Sequence, residues 1–296
     1  MEIYYHKSFA SHNQESHAEG AYRLKDFEPY HTGCSVEGAI ENIRVIHPEG
    51  YIRRIEEACM NREVVAEVQL TPSSWEAALI AVNLTVRASR TGAFAAVRPP
   101  GHHAGREKAM GFCLFNNIAI ATQLLVHEGK KVFIFDFDAH HGNGTQDIFY
   151  DSGRVFYCST HQAFGWPMTG DPALTGTGPG KGTTLNIPLY AGGGDKPFLK
   201  AVDQAVAAIH RFEPDVVAVS AGFDGYENDR LMDLGISLKG FYECGFKIGR
   251  AAKKVFAVLE GGYHEDILPC VRNFCEGIEV GSRPVPDRYN HEMSIG

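Results

Sequence analysis

The 296 residues carry 28 Lys and Arg against 36 Asp and Glu, a formal net charge of −8, with 44% hydrophobic and 22% charged residues. Such a chain can bury a large core and is not disordered, and it lacks the basic excess of a nucleic-acid or anionic-membrane binder. No apolar run approaches the roughly 18 to 20 residues that span a bilayer. The opening Met1–His6 places no basic stretch ahead of an apolar one, so a cytoplasmic location is expected. Seven cysteines, at 34, 59, 113, 158, 244, 270 and 275, form no C-x-x-C pair. That spacing argues for reduced, packed thiols rather than disulfides or a cysteine-zinc site.

In chain order, a helix is predicted from Ser73, with Ser73 and Glu76 as a capping box and Trp75, Leu79, Val82 and Val86 at helical spacing. A strand follows at Ala93–Val97, then a helix over Asn117–His127 and strands at Val132–Phe137 and Val155–Cys158. Next come a helix over Phe198–Phe212, a strand at Val216–Ser220, a helix over Leu238–Lys253, a strand at Val255–Leu259 and a helix over Asp266–Ile278. The tail from Ser282 to Arg288 reads as a surface-hugging extension. The strands are apolar almost without a break, as in a parallel sheet covered on both faces. Strands alternating with helices predict one α/β domain over residues 1–296 with right-handed crossovers. Ligands bind such sheets beyond the carboxyl ends of the strands.

Polar residues gather at five of those ends. After Ala93–Val97 come Arg98-Pro99-Pro100-Gly101-His102-His103, and after Val132–Phe137 come Asp138-Ala139-His140-His141-Gly142-Asn143. Ser159-Thr160-His161 follow Val155–Cys158, Asp224 closes the run after Val216–Ser220, and Glu260-Gly261-Gly262-Tyr263-His264 follow Val255–Leu259. Each piece alone has an ordinary explanation, such as a helix cap, a solvated histidine pair or a turn. Their convergence on one edge of the sheet points to a site instead. Asp138 and His140, two apart on an extended segment, face one side and can grip one ion, with Asp224 as a third ligand. Three protein ligands leave a position open, as a catalytic metal requires. Zinc is the expected ion, with ferrous iron or cobalt compatible with so hard a ligand set.

These motifs, in order from about His17 to Tyr263 and including Gly111-Phe112-Cys113 and Asn116-Asn117, resemble the histone deacetylase and acetylpolyamine amidohydrolase superfamily. Asn143 and the Gly-Phe-Asp form around Asp224 are more similar to its class II and bacterial branch than to class I. The resemblance implies a three-layer αβα fold around a mainly parallel, eight-stranded sheet, like that of arginase. It implies one zinc ion on Asp138, His140 and Asp224, and His103 as general base and acid with His102 as its electrostatic partner. Asp136 would hold His102 and Asn143 would hold His103. The neutral Asn143 should leave His103 less basic than a carboxylate would. Tyr263 would hydrogen-bond the developing oxyanion. Gly111, Phe112, Trp166 and Leu231 would line the substrate channel, and a potassium ion would sit by Asp136, Asp138, His140, Ser159 and Thr160.

The entry motif departs from the family pattern. The stretch His17-Ala18-Glu19-Gly20-Ala21-Tyr22-Arg23-Leu24 lacks the usual prolines, which predicts a freer loop at the channel mouth. Leu231 stands where polyamine-selective relatives often carry an acid, which weighs against that specificity. The expected partner is an acylated amine, acyl-lysine or acetylpolyamine, with no nucleic acid and no membrane; no oligomeric state follows. Two alternatives stay open. A binuclear ureohydrolase would want a further Asp where Gly142 and Asn143 stand, and a non-catalytic acyl-group or metal binder would not need His103 or Tyr263.

Overall fold

The computed structural model describes residues 1–12 and 17–284. Among the described residues nine strands are formed: β1 (Ile3–Tyr5), β2 (Val64–Val65), β3 (Val68–Gln69), β4 (Phe94–Ala96), β5 (Val132–Asp136), β6 (Val155–Gln162), β7 (Thr184–Leu189), β8 (Val216–Ala221) and β9 (Val255–Leu259). Seven of them make one sheet in the order β1-β4-β9-β8-β5-β6-β7, and every neighbouring pair is parallel. The eighth strand implied by the resemblance is not formed among the described residues. The two strands left over, β2 and β3, are two residues each and pair only with one another, as an antiparallel hairpin. The central strands β5, β8 and β9 are buried along their whole length, the condition that makes parallel strands read as unbroken apolar runs.

The helices are α1 (Ala39–Ile43), α2 (Glu49–Met60), α3 (Pro72–Thr91), α4 (Asn117–His127), α5 (Asn143–Phe149), α6 (Asp195–Phe212), α7 (Leu238–Ala251) and α8 (Ile267–Gly281). One layer groups α1, α2 and α4 around α3, which reaches β4 and β9; a second joins α6, α7 and α8, with α6 against β5, β6 and β7. The sheet lies between them. No described helix is long and apolar enough to cross a membrane. All seven cysteines are free thiols.

Several element boundaries shift from expectation, and two of the shifts have a physical reason. The first long helix is capped by Thr71 and Ser74 rather than by Ser73 and Glu76: Thr71 Oγ1 accepts from the Ser74 N–H at 3.3 Å and Ser74 Oγ accepts from the Thr71 N–H at 3.0 Å. Pro72 follows that extended cap as the first helical residue, where its missing N–H costs nothing. Strand β6 runs on to Gln162, so Ser159, Thr160 and His161 belong to the strand, paired with Asn186, Ile187 and Pro188 of β7. The tail read as a surface extension lies outside the described residues from position 285 on.

Candidate active site

Strand β5 ends at Asp136, and the chain then turns. The His140 N–H donates to Asp138 Oδ1 at 2.8 Å, closing a tight turn rather than continuing the extended segment expected. The turn brings His140 Nδ1 to 3.2 Å from Asp138 Oδ1 and 2.6 Å from Asp224 Oδ2, beyond the end of β8. One donor atom from each of Asp138, His140 and Asp224 lies within 4.8 Å of the others. Both carboxylates are fully buried. Backbone N–H groups fix them, from Ala139 to Asp224 Oδ1 at 2.7 Å and from Gly261 to Asp138 Oδ2 at 2.7 Å. At Gly222 a Cβ would collide with the Asp138 carboxylate, so glycine is needed for this approach.

This trio calls for positive charge. Burial and the neighbouring Asp138 push Asp224 up to about 7. Burial alone would lower His140, but Asp224 and Asp138 outweigh it and raise the imidazole to about 11. Two hard carboxylate oxygens and one ring nitrogen, buried and mutually in reach, fit a divalent cation of the zinc, iron or cobalt kind.

The two histidines after β4 sit beside the trio with contrasting electrostatics. His102 Nδ1 lies 3.0 Å from Asp136 Oδ2, which also accepts from the Tyr157 hydroxyl at 3.0 Å. Burial opposes a charge on His102, yet Asp136, Asp138 and Glu260 raise it to about 10. His103 Nδ1 lies 2.9 Å from Asn143 Oδ1. Burial, then the charge on His102, holds His103 well below the ordinary imidazole value, although the bond to Asn143 pulls the other way. The neutral Asn143 was expected to leave His103 less basic than a carboxylate would; the lowering itself comes from burial and the adjacent imidazole, and the bond to Asn143 opposes it.

A cavity of about 200 Å³ opens over these groups, lined by His103, His140, Tyr263, Phe112, Trp166 and Leu231, with Gly111 and Glu67. The Trp166 ring stands edge-on to His103 at 4.8 Å and to His140 at 5.9 Å, and Phe112 stands edge-on to Tyr263 at 5.9 Å. Two aromatic walls thus flank a short slot that ends on the trio. Ser159 and Thr160 lie on β6 at the level of Asp136; Ser159 Oγ contacts His161 Nδ1 at 3.0 Å, and Thr160 Oγ1 is buried without a hydrogen-bond partner. His141 is held by Thr169 and Gln146, and His264 Nε2 by the Phe223 carbonyl, so both orient neighbours. Cys113 is buried.

The supports of the site were not legible in the sequence. The Arg23 guanidinium lies 5.1 Å from the Tyr263 ring centre and donates to the Gly262 carbonyl at 2.5 Å and the Glu260 carbonyl at 2.6 Å. Glu19 pairs with Arg23 at 2.8 Å and with Arg98 at 2.6 Å, all three buried. The entry stretch expected to be free is therefore tied to the site by buried ion pairs. Glu260 Oε2 accepts from the N–H groups of Gly101 and His102, at 2.7 and 3.1 Å. Glu67, on the turn between β2 and β3, lines the cavity together with Leu231. Glu19 and Arg23 lie in the entry motif, Arg98 in Arg-Pro-Pro and Glu260 in Glu-Gly-Gly-Tyr, but their partners are distant in the chain, so the pairings were not legible.

The profile of the histone deacetylase domain matches residues 22–277. A probable deacetylase of Archaeoglobus fulgidus is 36% identical over 277 residues, which cover 87% of this chain and 77% of that protein. The chloroplastic histone deacetylase 10 of Oryza sativa subsp. japonica is 37% identical over 274 residues, 83% of this chain and 60% of the rice protein. The crystal structure of an acetylpolyamine aminohydrolase from Burkholderia pseudomallei superposes with a TM-score of 0.85 at 26% identity, covering 94% of this chain and 98% of that one.

Proposed function

The chain belongs to the histone deacetylase family, and from that premise we propose that it is a metal-dependent amidohydrolase, carried by one catalytic domain, that removes acetyl or other acyl groups from amines. The observation that carries this reading is that one small slot is lined at once by His140 of the buried trio, by His103 and by Tyr263. Asp138, His140 and Asp224 would hold a single zinc ion. When bound, such an ion polarises an amide carbonyl and makes water acidic near neutral pH.

The chain's own groups supply the rest. His103 donates its Nδ1–H to Asn143, which leaves Nε2 free to take a proton from the attacking water and later to give it to the departing amine. His102, held as imidazolium by Asp136, favours negative charge developing beside it and keeps His103 neutral. The Tyr263 hydroxyl donates to the oxyanion of the tetrahedral stage. Phe112 and Trp166 exclude water and grip the apolar stem of an acyl-lysine or acylpolyamine. The acidic Glu67 in the cavity lining favours a cationic substrate over a neutral one, which offsets the apolar Leu231. A potassium ion beside Asp136, Asp138, His140, Ser159 and Thr160 is part of the proposal; the buried, unpartnered Thr160 hydroxyl supports it.

The test is a panel of acetylated polyamines, acetyl-lysine peptides and longer acyl-lysines, with acetate or acyl release measured on the zinc-loaded protein and after chelation. Release from at least one class, abolished by the chelator and restored by zinc, is the expected result. No release from any acylated amine by protein carrying one ion per chain overturns the proposal.

A further inference from the structure

Tyr263 follows Gly262, whose φ of +122° is open to glycine and closed to other residues, so the backbone carrying the phenol has no intrinsic preference for its course. Something must hold it. The Tyr263 N–H donates to Asp229 Oδ2 at 2.7 Å. The other oxygen of that carboxylate, Oδ1, accepts from the N–H groups of Leu231 at 2.8 Å and Met232 at 3.4 Å. Leu231 and Tyr263 both line the substrate slot. We propose that Asp229 is a positioning residue for Tyr263, using its two oxygens to lock the backbone of the phenol to the turn that forms the channel rim.

The chemistry asks for a carboxylate. Each oxygen serves a different segment, and both segments present N–H donors. An asparagine offers one acceptor oxygen, and its NH2 group cannot accept, so one of the two segments is released in Asp229→Asn whichever way the amide is turned. Asp229→Ala releases both. Charge-assisted bonds of this kind are also stronger than neutral ones. Substrate binding at the rim and oxyanion stabilisation by Tyr263 are thereby coupled through one side chain that touches neither the reacting atoms nor the trio.

The inference rests on the reading of Tyr263 as oxyanion donor, and the experiment separates the two. Asp229→Asn, Tyr263→Phe and the double variant are assayed in the zinc-loaded protein, and hydrogen exchange at the Tyr263 amide is followed alongside. Asp229→Asn is expected to lower kcat about tenfold with KM changed by less than about threefold, as a misplaced catalytic group does. In the Tyr263→Phe background the same change should cost less than about twofold, because the hydroxyl it positions is gone. Exchange at the Tyr263 amide should accelerate in Asp229→Asn while the amides of β5 and β8 stay protected. An equal loss in both backgrounds, an effect confined to KM, or unchanged exchange at Tyr263 overturns the inference. Full turnover by Tyr263→Phe overturns the functional reading of Tyr263 instead, and the exchange measurement still decides whether Asp229 holds that backbone.

Discussion

The ring nitrogen Nδ1 of His103 meets the amide oxygen of Asn143 at 2.9 Å, a neutral partner where a carboxylate would pull a proton onto the imidazole. With burial and the neighbouring His102 already holding His103 low, the base is neutral well into the acid range. Asn143→Asp places a charge behind the ring and favours imidazolium. A base must be unprotonated to act, so raising its pKa moves the acid limb of the kcat/KM profile to higher pH. A pH profile of the variant that is unshifted, or shifted to lower pH, would remove His103 from the role of base.

Gly111 controls the width of the slot. Its φ is +53°, and a Cβ there would lie 2.5 Å from Trp166 Cη2 and 2.6 Å from His103 Cδ2. Gly111→Ala should therefore lower kcat/KM by roughly 100-fold, the scale expected when a reacting geometry is displaced by about an ångström. Zinc content, measured by elemental analysis, should be unchanged, and adding Trp166→Ala should restore part of the loss by making room. A fully active Gly111→Ala enzyme would place substrate elsewhere.

What the sequence made legible follows burial and chain distance. Strands β5, β8 and β9 stood out because both faces are covered; β1 is only three residues, and β7 carries Asn186 and Pro188 at the sheet edge, so neither showed as an apolar run. Asp138, His140 and Asp224 were readable because parallel strands deliver their ends to one edge. Arg23, Asp229 and Glu67 were not, because each meets the site across a long separation: Arg23 reaches Gly262 over 239 residues and Asp229 reaches Tyr263 over 34. Nothing local to those residues announces such contacts. The missed cap at Thr71 has a different origin, since two plausible capping pairs overlapped and Pro72 decided between them.

His47 gives acid sensitivity away from the metal ligands. Its Nδ1–H donates to the Arg106 carbonyl at 2.9 Å and its Nε2 accepts from the Asn116 N–H at 3.0 Å, so both nitrogens are committed in the neutral ring. Burial holds it down to about 4. Above about pH 6.5 the ring is neutral folded or unfolded and contributes nothing; below that the unfolded chain gains a proton that the folded one refuses, and stability falls until about pH 4. At about 1.4 kcal/mol for each pKa unit, the loss is on the order of 3 kcal/mol. In His47→Gln, urea unfolding followed between pH 7 and 4 should show a shallower decline than wild type. A parallel decline would mean that other groups, not His47, set the acid limit.

The trio makes a prediction in which the order of stabilities reverses. Without a cation, Asp138 and Asp224 are buried carboxylates with His140 between them, and the burial and mutual repulsion that push Asp224 up to about 7 are a cost of the fold. Asp224→Asn removes that repulsion while keeping the shape and the oxygen that accepts the Ala139 N–H. Chelated Asp224→Asn should therefore unfold at a temperature no lower than chelated wild type at pH 8. With zinc the order inverts: wild type gains stability by mass action, about 2.7 kcal/mol when free zinc is 100 times its dissociation constant, whereas the variant has lost a charged ligand and gains far less. Thermal unfolding of the two proteins, each with chelator and with zinc, reads both halves of the argument. An equal zinc-induced shift in both proteins would take Asp224 out of the ligand set, and a chelated variant markedly less stable than chelated wild type would show that the carboxylate supports the fold without any ion.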